Sequence, residues 1–164
     1  MVIQSDASLQ GWGAVSQGRR IQGRWSFKES AWHINCLELK AATLAIQTFL
    51  NGQQNLQVHL QLDNTLAVAY INHKGGTHSP QLMRLTSILW GWCLDHQIQV
   101  LATHLPGVCN VQADHLSRHL TDRCDWKLRH PSSAAGSQTQ KLGQRTHSIR
   151  TGPSFEDMQI PPGA

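Results

Sequence analysis

Four acidic residues stand next to apolar segments of the sequence, and each belongs to a different predicted element. They are Asp6, Glu38, Asp63 and Asp114. The chain has only ten acids in 164 residues, so four beside predicted core segments is a large share. Carboxylates from separate elements can converge on one point, where their oxygens suit hard divalent cations. The pattern therefore indicates a candidate metal site built from four carboxylates.

Three of these acids also have a purely structural interpretation. Asp6 precedes a predicted turn at residues 9–11, and an acid at that place often serves only the turn. Glu38 stands three residues after Asn35, the spacing of a capping box at the start of a helix. Asp63 precedes a short predicted helix and could be its N-cap. The sequence leaves these interpretations open beside the metal-site hypothesis.

Five strands and four helices are predicted to position the acids. The clearest strand is 56–62, where apolar and polar residues alternate strictly. Three short segments before it predict an antiparallel meander. The predicted strands are 2–7, 11–16, 20–26, 56–62 and 98–104, and the predicted helices are 35–50, 65–71, one starting at Ser79-Pro80, and 110–120. This order predicts an α/β domain in which strands four and five run parallel to strand one, so that Asp6 and Asp63 are neighbours.

The helix that starts at Ser79-Pro80 has a Ser cap and a Pro in its first turn. Its apolar stripe is predicted to be core and consists of Leu82, Leu85, Leu89 and Trp92.

The composition indicates one domain without a membrane span. Apolar residues make up 40% of the chain, which is enough for a core. Residues 1–4 lack a charged n-region and a long apolar h-region, so no signal peptide is predicted. The four cysteines, which form no Cys-x-x-Cys pair, are Cys36, Cys93, Cys109 and Cys124. We expect reduced thiols in an intracellular protein (cytoplasm or nucleus) rather than a disulfide framework or a zinc knuckle.

The positive charge of the chain is unevenly distributed. The formal net charge is +4, but residues 1–117 hold seven Lys and Arg against six acids. Charge alone therefore does not predict a nucleic-acid binder. The domain is predicted to cover residues 1–122. Residues 123–164 are predicted to be a disordered tail, because from about residue 131 they are rich in Ser, Gly, Gln, Pro and Thr.

Taken together, the motifs resemble type 1 ribonuclease H. The pieces are Asp6-Ala7-Ser8, Asn35 to Leu39, Asp63-Asn64, and His104 followed by Asn110 and Asp114. The likeness is closer still to the RNase H-like domain of DIRS-type retrotransposon polyproteins. The segments that carry it are Asp6 to Ala14, His33 to Lys40, Asp63 to Thr77 and Ala113 to Arg118. Single pieces are weak signals, whereas their order and spacing over residues 1–120 are specific.

The resemblance implies a fold, an activity and a cofactor for residues 1–120. The fold is an RNase H-like α/β fold, a five-stranded mixed sheet of order 3-2-1-4-5 flanked by helices. The activity is endonucleolytic hydrolysis of the RNA strand of an RNA–DNA hybrid. It requires two Mg²⁺ ions, with Mn²⁺ as a substitute. In such polyproteins a reverse transcriptase domain precedes this one, and these 164 residues do not contain it.

The resemblance also implies roles for individual residues. Asp6 would contact both ions, and Asp114 would help to hold the ion that activates water. Glu38 and Asp63 would hold the ion that faces the leaving 3′ oxygen. His104 would assist proton transfer or product release from a mobile loop. The implied substrate-binding residues are Ser8, Asn35, Asn64 and Asn110, and they would recognise shape and 2′-hydroxyls with little base reading.

Other interpretations stay open at this point. Residues 73–80 carry Lys74 as their only Lys or Arg, so the basic protrusion of some cellular members is absent and substrate affinity depends on neighbouring domains. The alternative function is a non-catalytic RNase H-like relic or nucleic-acid-binding fragment. A proofreading-type exonuclease would need an acid two residues after Asp6, and an integrase would need a Glu in place of Asp114. His115 and His119 are two helical histidines, too few for a zinc site.

Overall fold

The computed structural model describes residues 1–120, which form five strands and four helices. The strands are β1 (Val2–Ala7), β2 (Gly11–Ser16), β3 (Arg19–Arg24), β4 (Gln57–Leu62) and β5 (Gln99–His104). The helices are α1 (Ile34–Phe49), α2 (Thr65–Asn72), α3 (Pro80–Asp95) and α4 (Val111–Arg118). Two short 3₁₀ turns, Glu29–Ala31 and Gly107–Cys109, lie in the loops before α1 and α4. The described elements match the predicted ones in number and order.

The strands form one mixed sheet in the order β3-β2-β1-β4-β5. β1 pairs antiparallel with β2 and parallel with β4, and β4 pairs parallel with β5. The predicted strand order and the predicted directions are therefore confirmed. Because β1, β4 and β5 run in the same direction, their last residues meet at one edge of the sheet. We call this edge, at Ala7, Leu62 and His104, the carboxyl edge.

The core lies mainly between the sheet and α1. This helix is buried on most of its circumference, since it packs on β1 and β2 and is covered by α2 and α3. Even Lys40 is buried there, and its ammonium group pairs with Glu29 and lies over the Trp32 ring, 5.4 Å from the ring centre. This pairing compensates the buried charge and ties the loop before α1 to the helix.

The predicted stripe of α3 is core at three of its four positions. Leu82, Leu85 and Leu89 are buried, as predicted. Trp92 is half-buried and stacks on His96, whereas its neighbour Cys93 takes the buried place. The prediction for Trp92 was wrong because a straight helix drifts away from a strict three- and four-residue spacing.

The caps of two helices differ from the predicted ones. The N-cap of α1 is His33, whose ring accepts a hydrogen bond from the amide of Asn35, so Glu38 lies beyond the first turn. The capping-box interpretation of Glu38 is therefore wrong. The N-cap of α2 is Asn64, whose side chain accepts from the amide of Ala67, and not Asp63. Neither acid is used to cap a helix in this structure.

Helix α4 packs on the sheet face that carries Asp6 and Gly13, which are paired across β1 and β2. The contact is so close that a side chain at Gly13 would collide with it. A Cβ atom there would lie 2.8 Å from the carbonyl of Ala113 and 2.9 Å from the amide of Ser117. The glycine thus sets the distance between α4 and β2, next to Asp6 on the neighbouring strand.

Cys36, Cys93 and Cys109 are free thiols, as predicted. No helix within residues 1–120 combines the length and apolar character needed to cross a membrane. The chain divides into the units Met1–Ser132 and Ser133–Ala164, and the described residues belong to the first. The predicted boundary near residue 122, the predicted tail and Cys124 lie outside the described residues.

Candidate active site

Three of the four predicted acids converge at the carboxyl edge. Asp6 comes from β1, Asp63 directly follows β4, and Glu38 reaches the same place from α1. Each offers one carboxylate oxygen, and these oxygens lie within 4.8 Å of one another. We call these three residues the acid cluster. The parallel pairing of β1 with β4 brings the two aspartates together, and the third acid comes from α1, which packs on β1.

The acid cluster is buried. Asp6 is 2% exposed and Glu38 is 4% exposed, whereas Asp63 is half-buried. Burial, and then the charges of Asp6 and Asp63, raise the pKa of Glu38 to about 9. Burial also raises the pKa of Asp6 to about 6, although a hydrogen bond from Ser117 lowers it in part. Negative charge is therefore costly here unless cations offset it.

The cluster fits divalent cations by its chemistry and by an unused atom. The Oε2 atom of Glu38 is buried and has no hydrogen-bond partner within residues 1–120. All three side chains are carboxylates, the ligands that Mg²⁺ and Mn²⁺ prefer, and no Cys or His of residues 1–120 belongs to the group. Bound cations would offset the repulsion between the acids and use the free oxygen.

Asp114, the fourth predicted acid, lies nearby but outside the acid cluster. The Ser117 hydroxyl lies 2.6 Å from Oδ2 of Asp6 and 2.9 Å from the backbone carbonyl of Asp114, which places Asp114 beside Asp6. However, the Oδ1 atom of Asp114 accepts a hydrogen bond of 2.6 Å from Nε of Arg118, four residues further along α4. The structure thus brings together three of the four predicted acids, while the fourth is engaged by an arginine.

Two site residues were missed from the sequence, Ser117 and Arg118. The hydroxyl of Ser117, which is fully buried, donates to Oδ2 of Asp6 at 2.6 Å. The signal that could have revealed both is their spacing, three and four residues after Asp114 on one helical face. A short polar and a cationic residue at these positions can reach the acids that the helix brings to the edge.

Asn35 and Asn64 form a pair beside the acid cluster. The Nδ2 group of Asn64 donates to Oδ1 of Asn35 at 2.9 Å, while Oδ1 of Asn64 caps α2. Both residues are half-buried. The bond fixes the orientation of both amides, and it leaves the Nδ2 group of Asn35 without an acceptor among residues 1–120. The two amides are thus held in a fixed arrangement, and their contact with substrate stays a prediction.

Ser8 and Asn110 are internal residues in the structure, in contrast to their predicted contact with substrate. The Ser8 hydroxyl donates to the carbonyl of Ser117 at 2.7 Å and accepts from the amides of the turn before β2. Asn110 is 0% exposed, and its amide donates to the carbonyl of Ser5 at 3.1 Å. It stands at the N-cap of α4 but makes no side-chain cap bond. Both join β1 to α4, and Ser8 is only 9% exposed, so these side chains hold the fold together in the structure.

His104 is the last residue of β5 and is exposed at the carboxyl edge. It is paired with Leu62 in the sheet, as the predicted strand 98–104 implies, and its role in proton transfer or product release stays a prediction. The loop follows it, and Gly107 in this loop passes close to Asp63. His115 and His119 are exposed and stack on each other with ring centres 4.1 Å apart. They belong to no metal-capable group within residues 1–120.

Known structures share this fold. The RNase H1 of the halophilic archaeon Halobacterium salinarum NRC-1 superposes with a TM-score of 0.57 at 18% identity, covering 70% of this chain and 92% of that one. The N-terminal RNase H domain of a Mycobacterium tuberculosis protein, fused to maltose-binding protein, gives a TM-score of 0.51 at 15% identity, covering 70% and 93%. The fold and the acid cluster thus define an RNase H-like domain. The predicted resemblance is confirmed at the level of the fold.

A relative is found among viral polyproteins. The enzymatic polyprotein of figwort mosaic virus (strain DxS) is 32% identical over 130 residues, which cover 72% of this chain. The match spans only 19% of the polyprotein, about a fifth of its length. No family model matches the chain. The chain is therefore an RNase H-like domain whose sequence is similar to one segment of a much longer viral enzyme.

Proposed function

We propose that this domain is a metal-dependent endonuclease that hydrolyses the RNA strand of RNA–DNA hybrids, as part of a retroelement polyprotein. The observation that carries the proposal is the acid cluster at the carboxyl edge of an RNase H-like sheet. Two of its three carboxylates are buried, and one has an oxygen without a protein partner. Such an arrangement destabilises the metal-free fold, and a bound divalent cation relieves it.

The acid cluster would hold the ions, with Asp114 as an additional ligand. When bound, two Mg²⁺ ions, or Mn²⁺ in their place, would activate a water and stabilise the leaving oxygen of the phosphodiester. A neighbouring side chain would orient one of these ligands: the Ser117 hydroxyl donates a 2.6 Å hydrogen bond to Oδ2 of Asp6. The close contact of α4 at Gly13 keeps that bond in place.

The exposed residues around the cluster would bind the hybrid and move protons. The Asn35–Asn64 pair presents amide donors beside Glu38 and Asp63, where they can bond 2′-hydroxyls and sugar oxygens in the minor groove. His104 stands free at the end of β5, where its imidazole can take up or release a proton near the scissile phosphate.

A reverse transcriptase domain of the parent polyprotein is the proposed partner. The chain matches one segment of a viral enzymatic polyprotein, and its own cations are few. In residues 73–80 the only Lys or Arg is Lys74, whose ammonium lies 4.9 Å from the centre of the Trp90 ring. A neighbouring domain would supply the remaining phosphate contacts. We also propose an intracellular location, since free thiols persist where the environment is reducing.

The test uses the 164-residue protein on a labelled RNA–DNA hybrid, duplex DNA and duplex RNA. We expect internal cleavage of the RNA strand of the hybrid alone, in Mg²⁺ or Mn²⁺ and not with EDTA. Ca²⁺ should bind and inhibit, since its larger and looser coordination disturbs the geometry. The matched variant is Asp63→Asn, which keeps the shape of the side chain and the Asn64 cap of α2.

We expect Asp63→Asn to abolish cleavage while the metal-free protein melts at an equal or higher temperature, because one repelling charge is removed. Cleavage that survives in the variant would show that the activity comes from another site or a contaminant. A folded wild type that binds hybrid but never cleaves it would support the non-catalytic alternative.

A further inference from the structure

We infer that Arg118 is a positioning residue that holds Asp114 away from the acid cluster until a substrate phosphate takes over its guanidinium group. The arrival of substrate would thus complete the metal site. This inference rests on the proposed function, since it assumes that the acid cluster binds divalent cations and that the substrate is a phosphodiester.

The first observation is the contact itself. Asp114 and Arg118 are four residues apart on α4 and therefore share a helical face. Their Nε–Oδ1 distance of 2.6 Å is that of a charge-assisted hydrogen bond. Asp114 is left outside the group of carboxylate oxygens that lie within 4.8 Å of one another. The arginine therefore engages the one predicted ligand that does not join the others.

The second observation is that this contact can be exchanged without moving the helix. The side chains of Asp114 and Arg118 are 41% and 61% exposed, so both can change rotamer in solvent. On the inner face of the same helix, Ser117 is fully buried and bound to Asp6, and Ala113 is packed against Gly13. The backbone of α4 is therefore fixed, and only the two outer side chains need to move.

The third observation concerns what the guanidinium can reach. Arg118 directly follows Ser117, whose hydroxyl donates to Asp6 at 2.6 Å, and its own Nε donates to Asp114 on the same helix, so the guanidinium stands next to the acid cluster. A phosphate that enters this cluster offers two oxygens, and a guanidinium binds such a pair better than it binds one carboxylate oxygen. Arg118 would then leave Asp114, whose carboxylate becomes free to take a cation.

Before substrate binds, the same arginine opposes the binding of a second cation. It occupies an oxygen of Asp114 and adds a positive charge where that ion would bind. The acid cluster alone can still take one ion. We therefore expect one tightly bound ion in the absence of nucleic acid and a second ion only once Arg118 is displaced or removed.

The decisive measurement is a calorimetric titration of the 164-residue protein with Mn²⁺, without nucleic acid. The wild type should bind one ion. Arg118→Gln should bind a second ion at least about fivefold more tightly than the wild type does. This factor corresponds to the loss of a well-formed exposed ion pair. The control is Arg84→Gln, which removes the same charge from an exposed position on α3 and should match the wild type.

A second variant shows whether Asp114 provides the extra site. In the double variant Asp114→Asn/Arg118→Gln the second ion should disappear while the first remains. In cleavage assays Arg118→Gln should reach half of its maximal rate at a lower Mg²⁺ concentration than the wild type. Its KM for hybrid should rise, because the phosphate loses a partner, while kcat changes less.

The outcomes separate this inference from the proposed function. If the wild type already binds two ions, or if Arg118→Gln binds Mn²⁺ as the wild type does, the inference is overturned and the proposed function stands. If the wild type binds no Mn²⁺ and cleaves no hybrid, the proposed function fails, and this inference fails with it.

Discussion

The carboxylates of the acid cluster differ in the hydrogen bonds that they accept from the protein, and they should therefore differ in how strongly their charge destabilises the metal-free fold. Asp6 accepts a hydrogen bond from the Ser117 hydroxyl, and Glu38 accepts one from the backbone amide of Ala7. One oxygen of Glu38 nevertheless has no partner within residues 1–120. Glu38 is therefore the residue at which the metal-free fold should be most sensitive to charge.

The effect of Glu38 on stability should depend on pH. Folding raises the pKa of this carboxyl from its usual value of 4.5 to about 9, so folding favours the protonated form. Its contribution to stability is then fully present below about pH 4.5 and is lost as the pH rises towards 9. In EDTA, the melting temperature of Glu38→Gln should exceed that of the wild type by several degrees at pH 8 and equal it at pH 4.5.

The quantity to compare at each pH is the difference between the melting temperatures of the two proteins. In this difference the contributions of all other titrating groups cancel, provided that the substitution leaves them unchanged. Adding Mg²⁺ at pH 8 should raise the melting temperature of the wild type and not that of Glu38→Gln. A variant that melts lower than the wild type by the same amount at every pH would show that Glu38 has a packing role instead.

At the scale of elements, the site depends on how closely α4 approaches the sheet. The glycine at position 13 has no Cβ, and the backbone of Ala113 and Ser117 occupies the space where one would be. This contact places the Ser117 hydroxyl against Asp6 and brings Asp114 and Arg118 to the carboxyl edge. A small displacement of α4 would therefore disturb several site residues at once.

Gly13→Ala should destabilise the domain by about 1–3 kcal/mol, the usual cost of forcing an extra methyl group into a close contact. It should also reduce Mg²⁺-dependent cleavage, because α4 must shift away from Asp6. The control is Gly91→Ala on α3, where a Cβ meets nothing within 4 Å. This control should melt at the same or a higher temperature, since Ala favours helices over Gly. Equal melting of both variants would contradict the proposed role of the contact.

Most elements could be predicted from the sequence because they depend on periodicity. β4 alternates strictly and α3 starts with a Ser cap followed by Pro, so both were found within one residue. The caps of α1 and α2 were missed by one or two positions, because His33, Asn35, Asp63 and Asn64 can all accept a hydrogen bond and only the path of the chain selects among them.

The proximity of Asp6 and Asp63 could also be predicted, since the direction of β1 and β4 fixes where they end, whereas Glu38 was placed beside them by the resemblance. The position of the Asp114 carboxylate could not, because it depends on a rotamer and on the neighbouring Arg118. Ser8 and Asn110 were assigned to substrate by resemblance alone. Whether a polar side chain faces solvent or bonds the neighbouring backbone is decided by packing, which motifs do not record.

At the scale of the whole molecule, residues 1–120 already form a complete five-stranded sheet with helices packed on it. We propose that the folded domain ends near residue 122, as the sequence predicts. The chain truncated after Arg123 should then melt within about 2 °C of the full chain, because the tail has few apolar residues to bury. The control is a chain that ends at Ser132, the end of the first unit. If only the longer version keeps the melting temperature, the boundary lies near residue 132 instead.

The charge of the molecule limits how it can hold a nucleic acid. Residues 1–120 contain eight Lys and Arg against six acids. Two of these cations are already held by other groups: Lys40 is buried and pairs with Glu29, and Arg19 lies over the Phe49 ring at 5.5 Å. Few side chains are therefore available to replace the counterions of a hybrid, and the proposed reverse transcriptase partner would have to contribute most of the affinity.

This limit predicts a weak salt dependence for the 164-residue protein. Each phosphate contact adds a little less than one to the slope of log K against log[salt]. With about two or three contacts, the affinity for a hybrid in constant Ca²⁺ should fall only about tenfold to fiftyfold between 50 and 200 mM NaCl. Fluorescence anisotropy with a labelled hybrid gives this slope directly. A slope of six or more would mean that this chain makes most of the phosphate contacts itself, and the proposed dependence on a neighbouring domain would be wrong.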